Sequence, residues 1–308
     1  MTFEAQLVDA SIYVFRAWHS VPPTMHDRDG HPVNAVYGFL GFLLRWLEQS
    51  RPTHAVLAFD QSLTSSFRNG IYPEYKANRS LPPLELERQF AYCAAVSEAL
   101  GLPMLSSAVY EADDLIASAA RVLRSHGARI TVLTADKDLM QVLENEQDCC
   151  WDFARDVRCT REGVLERFGV AHHQIADFLA LTGDSVDNIP GVPGIGAKSA
   201  AFLLAHFGTL EALLERAHEV PYLRVRGAAA MAARLVRHAE DARLARRLTG
   251  VHCDADVPTD ADAYRLGCGD GERATAVLDQ LGFGPLTRAR VRESLAWRST
   301  GRDHTAAD

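Results

Sequence analysis

The sequence lacks the features that mark a secreted or membrane-spanning chain. Glu4 and Asp9 interrupt the first short apolar run, and no basic stretch precedes it, so residues 1–9 do not resemble a signal peptide. Elsewhere no uncharged apolar run is long enough to cross a bilayer. We therefore expect a cytoplasmic protein with no membrane partner.

Cysteine is scarce and follows no recognisable pattern. The six cysteines include no C-x-x-C pair and no cysteine–histidine spacing typical of a zinc site. This argues against a structural zinc module and indicates reduced thiols of the kind found in cytosolic proteins.

Positive charge is also in short supply. The chain has 32 lysine and arginine residues against 40 aspartate and glutamate residues, for a formal net charge of −8. Proteins that bind nucleic acid usually present a basic face, so this balance by itself argues against that function. However, the acids assigned below to one metal site outnumber the eight excess negative charges of the chain. The remaining surface is therefore free to carry a basic groove.

The apolar residues of this 308-residue chain make up 47% of it, enough for a sizeable core and, by length, two domains. Apolar runs at 6–9, 54–60 and 129–136 are typical of buried strands, and patterns of helical spacing occupy 36–49, 85–100 and 113–126. Continuous apolar strands alternating with helices predict an α/β fold with a mostly parallel sheet covered by helices on both faces.

Each of the three predicted strands ends on an aspartate: Asp9, Asp60 and Asp136. A single aspartate at a strand end is most often a turn or helix-capping residue. Three in three strands are harder to explain in this way, because open α/β sheets collect their ligands at the carboxyl ends of their strands.

More acids fall in loops that would lie over the same edge. An acidic group opens the predicted helix at 113, where capping explains one or two acids but not a third. Residues 136 and 138 point the same way if the chain stays extended, and residues 184 and 187 share a face if their turn is helical. The complete acidic set is Asp9, Asp60, Glu111, Asp113, Asp114, Asp136, Asp138, Asp184 and Asp187.

Together these carboxylates would form an all-oxygen site without histidine or thiolate, which suits Mg²⁺ or Mn²⁺ better than zinc. So many like charges cannot stay ionised at close range without compensation, and the number of acids is sufficient for two divalent ions. Two such ions activate a water and stabilise a departing 3′ oxygen, so the predicted reaction is phosphodiester hydrolysis.

The segment 66–79 interleaves aromatic and basic side chains directly after the second predicted strand. Bases stack on aromatic rings and phosphates pair with lysine and arginine, so this composition suits a single-stranded nucleic acid, although a polar surface loop is an equal alternative. We expect residues 61–80 to bury little and to be mobile without DNA. The residues proposed to contact nucleic acid in this segment are Phe67, Arg68, Tyr75, Lys76 and Arg79.

A hairpin rich in glycine and proline follows the last acidic pair and opens a helix. Backbone N–H groups at a helix N-terminus suit a phosphate, although a simple turn between helices is the commoner structure. Such a hairpin binds the sugar–phosphate backbone, so binding should depend on salt rather than on base sequence. The candidate DNA contacts are Gly191, Gly194, Ile195, Gly196, Lys198 and Ser199.

These pieces together resemble the 5′ nuclease family, which comprises the 5′ nuclease domain of bacterial DNA polymerase I, the phage 5′–3′ exonucleases and, more distantly, the flap endonucleases. The matching segments are 8–11, 15–19, 58–60, 66–68, 75–79, 110–114, 133–138 and 182–198, with looser similarity at 242–248. They cover most of residues 4–290 in the order found in the family.

The resemblance implies a PIN-like nuclease domain at 1–170 with a helical arch or clamp at 61–100. A helical domain at 171–297 would follow, with a helix-three-turn-helix DNA-binding motif, of the helix-hairpin-helix type, at 181–205. A polar tail at 298–308 would end the chain. Since no polymerase segment follows, we expect a stand-alone, monomeric exonuclease, and a DNA polymerase is one candidate partner.

The resemblance also implies roles for individual residues. Tyr75, Lys76 and Arg79 match arch residues that contact the 5′ end and the scissile phosphate, and Arg16 matches a basic residue near the active site. Carbonyl groups of the hairpin bind K⁺ in the family, with Val192 and Ile195 as the candidates here. The tighter metal site would use Asp60, Glu111, Asp113 and Asp136 with support from Asp9 and Asp114, and the looser one Asp138, Asp184 and Asp187.

The resulting prediction is a Mg²⁺-dependent, structure-specific 5′–3′ exonuclease and flap endonuclease that hydrolyses DNA in replication or repair. One alternative is an endoribonuclease of the PIN type, which explains the acids at the strand ends but not the hairpin with Lys198. Another is a non-catalytic protein that binds branched DNA, against which the complete acidic set argues.

Overall fold

The apolar runs of the sequence form the strands of one sheet in the structure, a computed structural model that describes residues 3–61 and 66–300, the last two by backbone only. None of the described helices is long and apolar enough to cross a membrane. The strands are β1 (Phe3–Asp9), β2 (His54–Asp60), β3 (Met104–Ser107), β4 (Ala128–Leu133), β5 (Cys149–Asp152) and β6 (Val157–Cys159).

Helices separate these strands and make up the second half of the chain. Those of the first half are α1 (Ala10–Ser20), α2 (Asn34–Ser50), α3 (Phe67–Ile71), α4 (Leu84–Ala99), α5 (Ala112–Ser125) and α6 (Arg161–Phe168). Those of the second half are α7 (Ile175–Thr182), α8 (Ala197–Phe207), α9 (Leu210–Glu215), α10 (Ala228–Arg237), α11 (Ala239–Thr249), α12 (Gly271–Gln280) and α13 (Pro285–Thr300).

The sheet has the strand order β3-β2-β1-β4-β5-β6, and its neighbouring strands are parallel except for the antiparallel pair β5 and β6. This confirms the predicted mostly parallel sheet. β3, β5 and β6 were not predicted, because they have only three or four residues each and no long apolar run.

Both faces of the sheet are buried, which explains why the β2 residues between His54 and Asp60 are all apolar. In β2, Val56 and Ala58 belong to one core with α5 and α7, whereas Leu57 and Phe59 belong to the other with α1 and α2. Successive strand residues point to opposite faces, so a strand covered on both sides cannot alternate apolar with polar residues.

The direction of winding reverses between the neighbouring strands β1 and β4, because β2 and β3 extend the sheet on one side and β5 and β6 on the other. A crevice opens at such a switch point, beyond the carboxyl ends of the strands. Asp9 ends β1, and the loop after β4 carries Asp136 and Asp138. The topology therefore brings acids from distant parts of the sequence to one place.

The hairpin of the predicted DNA-binding motif connects α7 to α8. Gly183, with φ of +77°, and Gly191 approach each other closely, and a Cβ on Gly191 would collide with the Gly183 nitrogen and the Leu181 carbonyl oxygen. Two glycines are thus required for the chain to leave α7 and return past its end. The Val192 N–H donates to the Leu181 carbonyl at 2.9 Å, which closes this turn.

The last two helices return to the first half of the chain. Leu278 of α12 and Val291 of α13 share a core with α2 and α4. α13 continues to Thr300, and Arg298 is buried, with its guanidinium donating to the carbonyl oxygens of Leu100 and Ser294. The predicted start of the polar tail, at 298, is therefore too early, because this residue still belongs to α13. Residues 301–308 lie outside the described part of the chain.

Candidate active site

The first acids of the site are fixed by the ends of β1 and β2. Asp9 caps α1 by accepting the N–H of Ile12 at 3.4 Å, and its other oxygen accepts the Thr134 hydroxyl at 2.9 Å. Asp60 accepts the N–H of Ala112, the first residue of α5, at 2.9 Å. The capping explanation is thus correct for Asp9, but the cap also holds its carboxylate in the crevice.

The acidic group at the start of α5 divides between two environments. Asp113 lies near Asp136, Asp9 and Asp138, whose negative charges act on it together with burial. Asp114 is fully buried, and its two oxygens accept hydrogen bonds of 2.8 Å from the Arg68 guanidinium. Adjacent residues on a helix point about 100° apart, so the two carboxylates have separate surroundings.

Arg68 has a structural position, which corrects the prediction that it contacts DNA. Its guanidinium is 3% exposed, bonds to Glu111 at 2.8 Å as well as to Asp114, and donates to the carbonyl oxygens of Leu248 and Gly250 at 2.9 Å. The Arg68–Asp114 pair therefore ties α3 and α5 to the end of α11. Asp114 supports the site by holding Arg68 rather than by offering a free oxygen.

Asp136 and Asp138 are brought together by a helical turn. The prediction that they point the same way assumed an extended chain instead. A short 3₁₀ helix begins at Asp138, and the Asp138 N–H donates to the Asp136 carboxylate at 2.9 Å. Lys137, between them, reaches the Asp184 carboxylate at 2.6 Å and Asp138 at 3.3 Å. This lysine therefore joins the loop after β4 to the loop after α7.

The Asp184–Asp187 pair also differs from its predicted geometry, because the turn that carries it is not helical. Asp184 and Ile189 exchange backbone hydrogen bonds of 2.8 Å in both directions, which closes a tight loop between them. Asp184 is held by Lys137 and by the N–H of Val186, whereas Asp187 faces the basic residues of segment 72–79. The two acids consequently point to different cations.

Segment 72–79 is anchored in the acidic edge. The Tyr75 hydroxyl shares its one proton between Glu111, at 3.0 Å, and Asp187, at 3.1 Å. The Lys76 ammonium pairs with Glu111, and Arg79 pairs with Asp187. Tyr75 is 4% exposed. The expectation that residues 61–80 bury little is therefore wrong for Tyr75 and Arg68, and residues 62–65 lie outside the described chain.

The backbone of Lys76 is in the left-handed region, with φ of +57°. For a residue with a side chain this conformation costs on the order of 1–3 kcal/mol and persists only where its surroundings impose it. The Lys76 N–H donates to the Asp187 carbonyl oxygen at 3.0 Å, and the Asn188 side chain donates to the Glu74 carbonyl at 2.7 Å. The strained residue is thus fixed to the loop that carries the last acidic pair.

Several acids are difficult to ionise in this crevice. Burial and the nearby Asp60 and Asp136 carboxylates raise the pKa of Asp9 to about 7, and burial with Asp136 raises that of Asp138 to about 7. Burial and the Asp136, Asp9 and Asp138 carboxylates also raise the pKa of Asp113 well above its usual range. Repulsion of this kind among buried carboxylates is what a bound divalent cation would relieve.

The nearby cations are themselves held in their charged form. Burial alone would lower the pKa of Lys76, but Glu111 and Asp187 raise it. Burial alone would also lower the pKa of Lys137, but Asp138 and Asp184 raise it. Although burial by itself would raise the pKa of Asp184, the Lys137 ammonium lowers it. Ammonium groups thus balance part of the acidic charge.

The acidic edge fits a metal by its donor set. Its donors are carboxylate oxygens, and Oδ1 of Asp138 is buried without a hydrogen bond, although the Lys137 ammonium lies 3.3 Å away. Hard cations such as Mg²⁺ prefer oxygen ligands of this type. The assignment of individual acids to two ions stays a prediction.

Arg16 and Phe67, two residues predicted to act at this site, lie beside the acidic edge and contact other side chains. Arg16 pairs with Asp152, the last residue of β5, at 2.9 Å. Phe67 packs edge-on against His252, with ring centroids 4.6 Å apart, and also contacts Tyr110. Sequence reasoning did not assign Asp152, although it is one more acid at the end of a strand.

The hairpin presents a polar surface on a buried apolar base. Val192 and Ile195 are buried, and the Ile195 N–H donates to the Val192 carbonyl oxygen at 3.0 Å. Gly196 precedes α8, and Lys198 in its first turn is exposed. The apolar residues fix the turn, while the first N–H groups of α8 and Lys198 remain accessible.

Sequence reasoning missed two residues that organise the acids. Thr134 accepts the N–H of Asp136 at 3.0 Å and donates to Asp9, so one hydroxyl joins the ends of β1 and β4. Lys137 crosses to Asp184. Both belong to a segment already recognised in the sequence, but their partners are distant along the chain and no local pattern identifies them.

A doubly wound sheet with carboxylates gathered at its switch point defines a nuclease-like α/β domain. The sequence model of the 5′–3′ exonuclease N-terminal, resolvase-like domain matches residues 4–169, and that of the 5′–3′ exonuclease C-terminal SAM fold matches residues 170–272. The chain belongs to the 5′–3′ exonuclease family and is a nuclease. The predicted α/β fold followed by a helical region is confirmed.

The curated relatives are longer proteins. DNA polymerase I of Rhizobium leguminosarum is 39% identical over 295 residues, which covers 94% of this chain and 28% of that protein, and DNA polymerase I of Mycobacterium leprae is 36% identical over 294 residues, covering 94% and 31%. The chain thus spans less than a third of the length of these relatives.

Solved structures show the same fold at lower identity. A zinc-bound T5 5′-exonuclease has a TM-score of 0.64 with 18% identity and covers 96% of this chain and 99% of its own. The catalytic core of Rad2 in complex with a DNA substrate has a TM-score of 0.64 with 16% identity and covers 96% and 93%. At such identities the likeness concerns the fold alone.

Proposed function

We propose that this chain is a Mg²⁺-dependent, structure-specific 5′–3′ exonuclease and flap endonuclease acting on DNA in replication or repair. The observation that supports this most is the convergence of acids from β1, β2, α5, the loop after β4 and the loop after α7 on one edge of the sheet. The basic residues of segment 72–79 meet them there. A single-stranded 5′ end would lie along that segment while the hairpin holds the adjoining duplex.

The acids of this edge would hold two ions. Bound Mg²⁺ or Mn²⁺ ions supply a more acidic water and stabilise the charge of a departing 3′ oxygen. The tighter set would be Asp60, Glu111, Asp113 and Asp136, placed by Asp9, and the looser set Asp138, Asp184 and Asp187. Lys137 restrains the looser set by neutralising Asp184 and fixing its direction.

Lys76 and Arg79 would bind the scissile phosphate. In the present structure they neutralise Glu111 and Asp187. When substrate and metal bind together, the phosphate would replace the two carboxylates as the partner of Lys76 and Arg79. The metal would replace these two cations as the partner of Glu111 and Asp187, so every charge would remain balanced. Tyr75 would position the two acids, since its hydroxyl contacts both, and Arg16 would orient DNA from the outer edge of the site.

The hairpin would bind duplex backbone through the first N–H groups of α8, with Lys198 and Ser199 beside them. We also propose a K⁺ ion at this turn. The Val192 and Ile195 carbonyls would bind it, since a carbonyl oxygen has two lone pairs and the turn hydrogen bond uses only one of those on Val192. This part of the molecule selects backbone geometry and charge, not bases.

The cellular setting completes the proposal. A monomeric, cytoplasmic nuclease with this site would act on DNA with nicks, flaps or free 5′ ends. Because the curated relatives are DNA polymerase I proteins that match this chain over less than a third of their length, a DNA polymerase is the partner we propose for it.

The substrate preference tests this function against its alternatives. We expect Mg²⁺-dependent cleavage of a 5′-flapped DNA duplex at the branch, with 5′-phosphorylated products, and much weaker cleavage of a 3′-flapped duplex of the same sequence. Faster cleavage of single-stranded RNA than of any DNA would favour a PIN-type endoribonuclease. Tight binding of flaps without cleavage in any divalent metal would favour a non-catalytic DNA-binding protein.

A further inference from the structure

A tight loop in the connection from α1 to α2 brings three potential metal ligands together. It contains Asp27, Asp29 and His31 between α1 and α2. Gly30 adopts a φ of +83°, which reverses the chain, and the Asp27 N–H donates to the His31 carbonyl oxygen at 2.8 Å. The reversal returns His31 to the side of Asp27.

Each of the three residues offers one ligand atom, and these atoms lie within 4.8 Å of one another. Nδ1 of His31 lies 3.4 Å from Oδ1 of Asp27. Ligands about 2.0–2.2 Å from a metal lie roughly 3–4 Å apart, so a small movement of these side chains would let all three contact one cation.

Asp27 provides independent evidence for a ligand. The residue is 7% exposed, and its Oδ1 accepts the N–H groups of Asp29 at 3.0 Å and His31 at 2.8 Å. Its Oδ2 is buried and has no hydrogen-bond partner among the described residues. Buried polar atoms nearly always have a partner, so this oxygen requires an explanation.

We propose that Asp27, Asp29 and His31 form a binding site for a divalent transition-metal ion, separate from the acidic edge of the nuclease. Two carboxylates and one imidazole suit Zn²⁺ or Mn²⁺ better than Mg²⁺ or Ca²⁺, which prefer an all-oxygen shell. The site depends only on the loop and not on the proposed activity.

The position of the loop indicates what the metal does. The Arg28 N–H donates to the Gln280 carbonyl oxygen at the end of α12 at 3.1 Å, and Gly282 approaches the His26 carbonyl so closely that an added Cβ would lie 3.0 Å from it. A metal that holds the loop in this shape also holds its contact with the end of α12. The ion therefore stabilises the junction between the two halves of the chain.

Calorimetric titration of the full chain with ZnCl₂, in excess Mg²⁺ to occupy the all-oxygen site, tests the proposal. The wild-type protein should bind one Zn²⁺ at a site that His31→Ala and Asp27→Asn each weaken at least tenfold. His26→Ala is the matched control, because it removes an exposed histidine from the same loop and should leave this binding unchanged. The absence of Zn²⁺ binding by the wild type, or equal losses in H26A and H31A, would overturn the proposal.

Side-chain NMR of the histidines gives a second measurement that does not depend on the buried Asp27. The His31 ring signals should move on addition of one equivalent of Zn²⁺, and the thermal midpoint of wild-type unfolding should rise by more than that of H31A. The His31 side chain is 41% exposed, so H31A is expected to fold, which circular dichroism verifies. A ring that does not respond while one Zn²⁺ binds would place the ion elsewhere and contradict the proposal.

Discussion

Asp136→Ala is expected to lower the single-turnover rate of 5′-flap cleavage by about 10³-fold or more, while flap binding remains measurable. Removal of a single group that stabilises transition-state charge already costs about 10²–10³-fold in other enzymes. Asp136 is placed to do more than this. Its charge acts on Asp9, Asp113 and Asp138, and its carboxylate accepts the Asp138 N–H.

The matched control is Glu146→Ala, which removes an exposed acid from the loop before β5, outside the acidic cluster. It should cleave at the wild-type rate. Binding of the flap, measured in Ca²⁺ by fluorescence anisotropy, separates loss of catalysis from loss of substrate. If D136A cleaved as fast as wild type in Mg²⁺, Asp136 would not be a metal ligand.

Arg68→Ala is expected to lower the free energy of unfolding by about 3–5 kcal/mol, the range found when one partner of a buried ion pair is removed. The variant leaves Asp114 buried with a charge and without its two guanidinium hydrogen bonds. It also leaves the carbonyl oxygens of Leu248 and Gly250 without their donor. Urea unfolding followed by circular dichroism measures the change.

Arg243→Ala serves as the comparison, because Arg243 pairs with Glu211 and Glu240 on the surface. Exposed pairs of this type contribute little to stability. If R68A were as stable as R243A, the buried pair would not hold α3 and α5 to α11, and the assignment of Arg68 to structure rather than to DNA would lose its basis.

The sequence was sufficient for the parts of the fold that have a strong local pattern. β1, β2 and β4 are central strands buried on both faces, so their middle residues are mostly apolar, and topology alone brings Asp9, Asp60 and Asp136 to one edge. β3, β5 and β6 are short strands toward the sheet edges. Their residues follow no pattern that distinguishes them from loops.

The candidate site was predictable as a set of residue types but not as a set of contacts. Asp113 and Asp114 are equivalent in the sequence, and only the position of Arg68, distant along the chain, gives them different environments. Likewise, the helical turn at Asp138 and the closed loop at Asp184 replace the geometry that spacing suggested. Tertiary partners decided these positions, and they lie far away in sequence.

The most consequential contact that the sequence did not indicate joins segment 72–79 to the loop at 184–189. Besides the contacts of Tyr75 and Arg79 with the Asp187 carboxylate, three hydrogen bonds to backbone carbonyls make it: the Lys76 N–H to Asp187, the Asn78 side chain to Ser185, and the Asn188 side chain to Glu74. Basic residues proposed to hold the scissile phosphate are thereby fixed to acids proposed to hold a metal. A change in either is expected to affect the other.

If the acids at the switch point form a metal centre for cleaving 5′ flaps, the rate of 5′-flap DNA cleavage must depend on Mg²⁺. We expect no cleavage in EDTA and a rate that rises with Mg²⁺ to saturation, with incision at the branch. Cleavage that is unchanged in EDTA, or no incision of the 5′ flap at any concentration of Mg²⁺ or Mn²⁺, would contradict it.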